Sequence, residues 1–239
     1  LKAMGNNRTD SKGVVAGAPA VNKKIKYRRI QRFIAKNYLK VKNNDRIIFF
    51  LALVSRNNMM DPPFQVNDLE YYNITTKILF SILAKIKDKC VLKLYPSNRY
   101  LDPDPWIKLV KLPKNVKILQ FFEFSELRAA ADVTILSSSA STFGWTWSIR
   151  NPIIFLELPS RPLMQDVVDL FDRALFRIDG SKESWEEEML EILKMPHKKL
   201  LKLWADKKDA REELERHIFG PKGNSGKRAA DYIVSEISK

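Results

Sequence analysis

The chain has 239 residues, room for one large domain or two small ones, and 45% of them are hydrophobic, enough for a substantial core. No apolar run approaches the ~20 residues that cross a bilayer, no signal-peptide pattern opens the chain, and a single cysteine excludes a disulfide framework and fits a reducing cytoplasm. That cysteine and two histidines leave no set of ligands for a structural zinc ion, while a formal net charge of +14 implies an anionic partner: nucleic acid, an acidic membrane surface or phosphorylated ligands.

Residues 1–10, LKAMGNNRTD, read as the end of a strand and a turn at Gly5-Asn6-Asn7, from which Arg8 could reach an anion. The start at Leu1 without a methionine reads as a fragment or a processed chain. Residues 11–20 are small and rich in Gly, Pro and Ala, as in a loop or linker. Residues 22–42 carry nine Lys/Arg and no acid, with Ile30, Phe33, Ile34 and Leu39 as a partial helical stripe. Three readings stay open there: a surface helix on a sheet with solvated bases, a helix on an anionic membrane, and a nucleic-acid face. The last lacks any named DNA or RNA motif, so nucleic acid is disfavoured as a partner.

Asp45–Val54, DRIIFFLALV, is apolar throughout, as a central strand of a parallel sheet is. The loop after it, Ser55-Arg56-Asn57-Asn58, lies on the ligand side, and Arg56 suits a phosphate. A helix is expected from Asp68 to about Lys87. Val91–Leu94 is a third strand ending in Tyr95-Pro96, and Cys90 before it reads as a buried thiol. Asp102-Pro103-Asp104-Pro105 mimics a DxD metal motif, but two prolines make it a stiff turn, and no metal is expected. Trp106–Leu112 reads as a short helix, Val116–Phe122 as a fourth strand, Glu123-Phe124 as a ligand-side loop, and Ser125 as the cap of a helix over 126–131.

The stretch 131–159 organises the rest. Val133–Leu136 is a short apolar run, Ser137, Ser138, Ser139, Ser141 and Thr142 follow, Phe143–Ile149 has helical room, and Pro152–Leu158 is a second apolar run. The unit reads as strand, hydroxyl-rich turn, helix, parallel strand. Such a turn sits at the carboxyl end of a strand, where open α/β sheets bind ligands, and backbone N–H groups there favour anions. One reading is a phosphate or diphosphate seat at Ser137–Thr142; the other is a helix cap with solvated serines. Beyond it lie a loop and short helix over 161–172, a strand over 174–178, a helix from Ser181 to about Lys194, and a charged helical remainder, 195–239, broken by Gly220, Gly223 and Gly226.

Strand–helix alternation followed by helices predicts an α/β fold: a Rossmann-like doubly wound parallel sheet with a helical C-terminal tail, divided into a domain over 1–195 and a charged extension over 196–239 packed on it. Neither GxGxxG nor GxxxxGK[ST] occurs, which disfavours dinucleotide oxidoreductases and P-loop NTPases.

Four stretches together resemble the C-terminal, donor-binding domain of GT-B glycosyltransferases, most nearly the bacterial surface-polysaccharide and teichoic-acid enzymes that use CDP-glycerol or CMP-sugars. Gly5-Asn6-Asn7-Arg8-Thr9-Asp10 resembles that domain's G-x-P-R-x-D opening, with Asn7 in place of proline; Leu94-Tyr95-Pro96 resembles its HP motif, with Tyr95 in place of histidine. FSELRAAAD, 124–132, resembles the helix leading to its "aD", and Ser137–Ser141 with Asn151–Phe155 resemble its serine-rich phosphate motif and following strand. Tyr95 can donate a hydrogen bond but carries no positive charge, and the EX7E arrangement of many retaining members is not apparent.

The resemblance implies a nucleotide-activated sugar or polyol as substrate and no cofactor. Ser137, Ser138, Ser139, Ser141 and Thr142 would hold donor phosphates, Arg8 and Arg56 would balance charge on the leaving nucleotide, and Tyr95, Pro96, Glu123 and Phe124 would frame base and ribose. Each has a plainer alternative: Arg8 and Arg56 as surface arginines, Glu123 as a solvated acid, Phe124 as core. It further implies an N-terminal acceptor domain or partner chain, and a cytoplasmic enzyme peripheral at the inner membrane face, held there by the bases of 23–42. The rivals are a UDP-sugar epimerase of the same fold and a non-catalytic basic module for nucleic acid or membrane.

Overall fold

The apolar runs of the chain become six short strands in a computed structural model, which describes residues 27–52, 68–94, 111–120, 124–137, 141–221 and 223–238. They are β1 (Ile47–Leu51), β2 (Lys89–Lys93), β3 (Val116–Leu119), β4 (Val133–Leu136), β5 (Ile153–Glu157) and β6 (Phe176–Asp179). All pair in parallel, in the order β3-β2-β1-β4-β5-β6. Every residue of β1, β4 and β5 is buried. A parallel strand covered by helices on both faces has no solvent side, so it reads as a continuous apolar run rather than an alternation.

The helices are α1 (Arg28–Leu39), α2 (Asp68–Thr76), α3 (Phe124–Leu127), α4 (Ser141–Trp147), α5 (Gln165–Ala174), α6 (Trp185–Lys194), α7 (His197–Asp206), α8 (Lys208–Phe219) and α9 (Ser225–Ile237). After α2 the coil widens to π geometry over Lys77–Ile82 and tightens to a 3-10 turn over Leu83–Lys85; α3 ends in a 3-10 turn over Arg128–Ala130. The doubly wound α/β architecture and its helical C-terminal region are as expected from the sequence.

Several boundaries differ. β1 and β3 are shorter than the apolar runs that announced them. Ser125 lies inside α3, whose first residue is Phe124, instead of capping it. The helix expected from Phe143 begins at Ser141, so Ser141 and Thr142 belong to its first turn. The helix expected from Ser181 begins at Trp185, because Asp179 first turns the chain: its Oδ1 accepts from the Ser181 N–H at 3.0 Å and from the Ser181 hydroxyl at 2.6 Å. The strand end at residues 1–10, the loop at 11–20, the DPDP turn and most of the 106–112 helix lie outside the described residues.

The basic stretch before β1 is a helix packed on the fold. Ala35, Lys36 and Leu39 are buried, and α1 lies against α3 and its 3-10 turn. Its bases are used structurally. Arg32 donates to both oxygens of Asp132 at 2.8 and 3.0 Å and to the Ala130 carbonyl at 3.0 Å. The Lys36 ammonium, inside the protein, donates to the carbonyls of Asn43 at 2.5 Å, Asp45 at 2.8 Å and Lys42 at 3.4 Å. Arg28 donates to Asn151 at 2.8 Å.

Candidate functional site

From β1 the chain moves outward to β2 and β3, then returns across β1 and moves outward the other way through β4, β5 and β6. Between β1 and β4 the order reverses. In open α/β sheets the connections from two such strands diverge and leave a crevice at their carboxyl ends, the place that takes ligands. Phe50 pairs with Ile135, so the crevice opens just beyond Leu51-Ala52 and Leu136-Ser137.

What lines its described rim is small: Ala52 on one strand and Ser137 on the other. The neighbouring strand ends are charged but internally matched. At the ends of β2 and β3, the Lys93 ammonium donates to the carbonyls of Leu94 at 2.5 Å and Gln120 at 3.0 Å. At the ends of β5 and β6, buried Glu157 accepts from Arg177 at 2.5 Å and from the Leu163 N–H at 2.8 Å. Glu157 is therefore a structural acid.

The helix α4 is held from behind. Phe143 and Trp147 of α4 are buried in an aromatic cluster with Phe155 of β5, Phe171 of α5 and Phe219 of α8, with ring centroids 5.4 to 6.1 Å from Phe143. The Thr146 hydroxyl donates to the Thr142 carbonyl at 2.9 Å, bracing the first turn. The first N–H groups of any helix lack partners within the helix, and α4 is the helix that comes next in the chain after β4, at the switch point.

Of the residues picked from the sequence, the structure brings Ser137, Ser141 and Thr142 to this one corner, and Ser137 is buried at its mouth. Phe124 goes elsewhere. It is buried and meets Phe49 of β1 edge to face, centroids 5.7 Å apart, so it supports the sheet and does not frame a base. Ser138, Ser139, Arg8, Arg56, Tyr95, Pro96 and Glu123 lie outside the described residues. Cys90 is a core thiol, its pKa pushed up to about 12 by burial first and Asp88 second. Among the described residues no group of three His, Cys, Asp or Glu could hold a metal ion, and no helix is long and apolar enough to cross a membrane.

One feature escaped the sequence. A cavity of about 160 Å³ lies beside the serine corner, lined by Glu70, Asn73 and Lys77 of α2 and its extension, Leu156 at the end of β5, Gly180 after β6, and Trp185. Leu136 pairs with Phe155, so the chain reaches Ser137 one residue further on, one strand over from Leu156 of the cavity lining. Its lining comes from four separate stretches, and only Gly180 hints at it. A β-carbon there would come within 2.5 Å of the Glu157 carbonyl oxygen.

No protein family and no curated protein matches the chain by sequence. Solved structures do match in fold. The glycosyltransferase SnogD from Streptomyces nogalater is 18% identical over 82% of this chain and 45% of its own, with a TM-score of 0.50. The glycosyltransferase VinC, solved in complex with DTDP, is 12% identical over 84% and 44%, with a TM-score of 0.52. MurG of Acinetobacter baumannii is 14% identical over 92% and 55%, with a TM-score of 0.51. The chain spans about half the length of these transferases, and the fold it shares is a GT-B one.

Proposed function

We propose that the chain is the donor-binding half of a GT-B-type glycosyltransferase or polyol-phosphate transferase, acting in surface polysaccharide synthesis at the cytoplasmic face of the membrane. The observation that carries this is the coincidence of the serine-rich turn with the topological switch point. A structural cap could stand after any strand of the sheet; a ligand seat belongs at this one.

The roles follow from the chemistry. Hydroxyls of Ser137, Ser138, Ser139, Ser141 and Thr142, with N–H groups of the first turn of α4, donate to the oxygens of a donor diphosphate or monophosphate. Ala52, at the described end of β1 beside them, carries no charge to repel it, and the Glu157 carboxylate at the end of β5 is neutralised by Arg177. As the bond from the transferred group to the phosphate oxygen breaks, negative charge builds on the departing nucleotide, and preorganised donors stabilise that charge more than they stabilise the intact donor. Arg8 and Arg56 supply positive charge; Tyr95, Pro96 and Glu123 frame base and ribose. The cavity next to Ser137 takes part of the donor beyond the phosphates, with Asn73 and Glu70 as polar contacts. The acceptor site belongs to a second half, as the doubled length of the similar transferases suggests, and that half or a partner chain would complete the reaction.

Thermal unfolding with CMP, CDP, UDP and dTDP tests this. At a hundredfold excess over Kd, one site stabilises by about 2.7 kcal/mol, which raises the melting temperature measurably. Ser138→Ala with Ser139→Ala should abolish the rise and leave the melting temperature without ligand in place. No shift with any nucleotide at millimolar concentration would overturn the reading. Salt-sensitive binding to RNA or DNA that nucleotides do not compete would replace it with the basic-module alternative.

A further inference from the structure

One face of α1 holds the fold together; the other is an apolar stripe turned to solvent. Successive helical residues are offset by about 100°, which puts Phe33, Ile30, Ile34, Tyr27 and Tyr38 on one arc, opposite Ala35, Leu39 and Arg32. All five are exposed, Ile34 at 60% and Tyr27 at 78%. Arg29 and Lys40, both exposed, run along one border of the arc. At one end the Lys117 ammonium of β3 lies 5.9 Å from the centre of the Tyr38 ring; Ile30, Phe33 and Ile34 are more than half exposed.

A second feature adjoins the same edge of the sheet. Arg28, at the start of α1, is bonded to Asn151. The next residue along, Arg150, lines an open cavity of about 290 Å³ with Lys208, Arg211 and Glu212. Its three cations outnumber Glu212 in the lining and the Glu215 that pairs with Arg150, which leaves a net positive pocket suited to a phosphate-bearing group. Arg150 is fixed by Glu215, which it meets at 2.9 and 3.3 Å, and Arg211 is fixed over the Trp204 ring at 3.9 Å. The cavity is therefore a standing arrangement rather than a chance meeting of mobile side chains.

We infer that α1 seats the chain on an anionic bilayer, its Ile30–Phe33–Ile34 stripe entering the interface and the Arg150–Lys208–Arg211 cavity receiving a lipid headgroup phosphate. An aliphatic and aromatic arc bordered by bases is the pattern of helices that lie in the headgroup region, and tyrosines at both ends suit a boundary where one side of the ring is wet. The net charge of +14 favours an acidic surface. A second copy of the chain fits less well. Twelve residues give a helix of about 18 Å, a strip far short of the ~800 Å² per partner of a stable interface, and a symmetric pairing would set Arg29 and Lys40 against their own copies. Docking here deepens the membrane-side placement proposed above. It puts the amino ends of the strands toward the lipid and leaves the donor crevice open on the far edge, one strand length or about 17 Å further out.

Flotation of the full chain with vesicles of phosphatidylcholine alone, or with 30% phosphatidylglycerol as an order-of-magnitude loading (~30%, enough to set a surface potential), tests the inference. Wild-type chain should float with the acidic vesicles and stay behind with the neutral ones. Ile30→Ser/Phe33→Ser/Ile34→Ser should cut binding by more than about tenfold, and Lys208→Gln/Arg29→Gln/Lys40→Gln should cut it several-fold and flatten its salt dependence. Both sets replace exposed residues, so unchanged melting temperatures and unchanged nucleotide shifts check that each variant is folded and keep this test separate from that of the donor site. Equal binding to both vesicle types, no binding to either, or a serine variant that binds like wild type would overturn the inference. So would a dimeric wild type that the serine variant turns into a monomer without loss of vesicle binding.

Discussion

The two edges of the same sheet are built on opposite plans. At the amino edge Asp132, Arg32, Arg46 and Asp88 are matched to one another in pairs. Asp132, at the foot of β4, accepts from the Ile47 N–H of β1 at 2.9 Å and from Arg32 of α1. Arg46, at the foot of β1, pairs with Asp88 at 2.5 Å and reaches the Met195 carbonyl at 3.2 Å and that of Leu193, tying α6 to the sheet. Asn115, at the foot of β3, donates to the carbonyls of Leu83 at 2.9 Å and Asp88 at 3.1 Å. At the carboxyl edge, between the matched pairs of β2–β3 and β5–β6, the described ends of β1 and β4 carry Ala52 and Ser137. A buried charge stabilises only when its partners are in place, so an edge full of mutual partners is rigid and selective for itself. An edge that ends in small residues, as at Ala52 and Ser137, has no such network of its own to lose, and the donor site proposed above would draw on it.

This contrast predicts that damage at the amino edge shows as lost stability, and damage at the carboxyl edge as lost binding. The largest effect should come from Asp132→Ala. It strands the half-buried Arg32 guanidinium and the Ile47 N–H together, for a loss of about 3 kcal/mol in urea unfolding. The nucleotide-induced shift of the folded fraction should survive. If it vanished while the fold persisted, the two edges would not be independent. Lys36→Met comes next. The apolar stem is kept but three carbonyls lose their donor, at a cost of about 2 kcal/mol; a smaller loss would mean that water satisfies those carbonyls.

The sheet was legible because burial on both faces writes itself as unbroken apolar runs, and 47–51, 133–136 and 153–157 have no competing periodicity. The serine corner was legible too, since strand, hydroxyls and helix are consecutive. The amino edge was not. Asp132 and Arg32 are 100 residues apart, and nothing local marks them as partners. Lys36 looked like one more solvated base in a run of nine, because what buries it is the fold of the loop after α1 back over its ammonium. Phe124 misled for a related reason. A residue just past a strand on the ligand side can still turn inward, and Phe49 was there to receive it. The helix expected from Ser181 slipped by four residues because the Asp179 side chain bonds the Ser181 N–H and turns the chain first.

Gly180→Ala tests the cavity beside the carboxyl edge with a smaller expected effect. The added methyl meets the Glu157 backbone carbonyl, not a side chain that could swing aside, so a cost of about 1–2 kcal/mol is expected from overpacking. Unlike the amino-edge variants, it should also weaken nucleotide-sugar binding more than binding of the free nucleotide, read as a ratio of Kd values by calorimetry. Equal weakening of both would place the transferred group outside this cavity.

The smallest effect lies back at the amino edge, in pH. His197, at the start of α7, has its Nδ1 buried with no hydrogen-bond partner among the described residues. Burial holds its pKa below the ordinary 6.5; Asp132 and Asp88 oppose that, and Arg46 and Arg32 reinforce it. Above pH 6.5 the imidazole is neutral whether the chain is folded or not, and titration contributes nothing. As pH falls through 6.5 the unfolded chain takes up a proton that the folded chain refuses, so stability drops, and it stops dropping from this source only below the depressed folded value. His197→Gln should therefore flatten the decline in unfolding free energy between about pH 7 and about pH 5, while leaving the nucleotide-induced shift at each pH as it was. An unchanged slope would mean that Asp132 and Asp88 together offset both the burial of this imidazole and the two guanidiniums beside it, and that the amino edge is matched at this atom too.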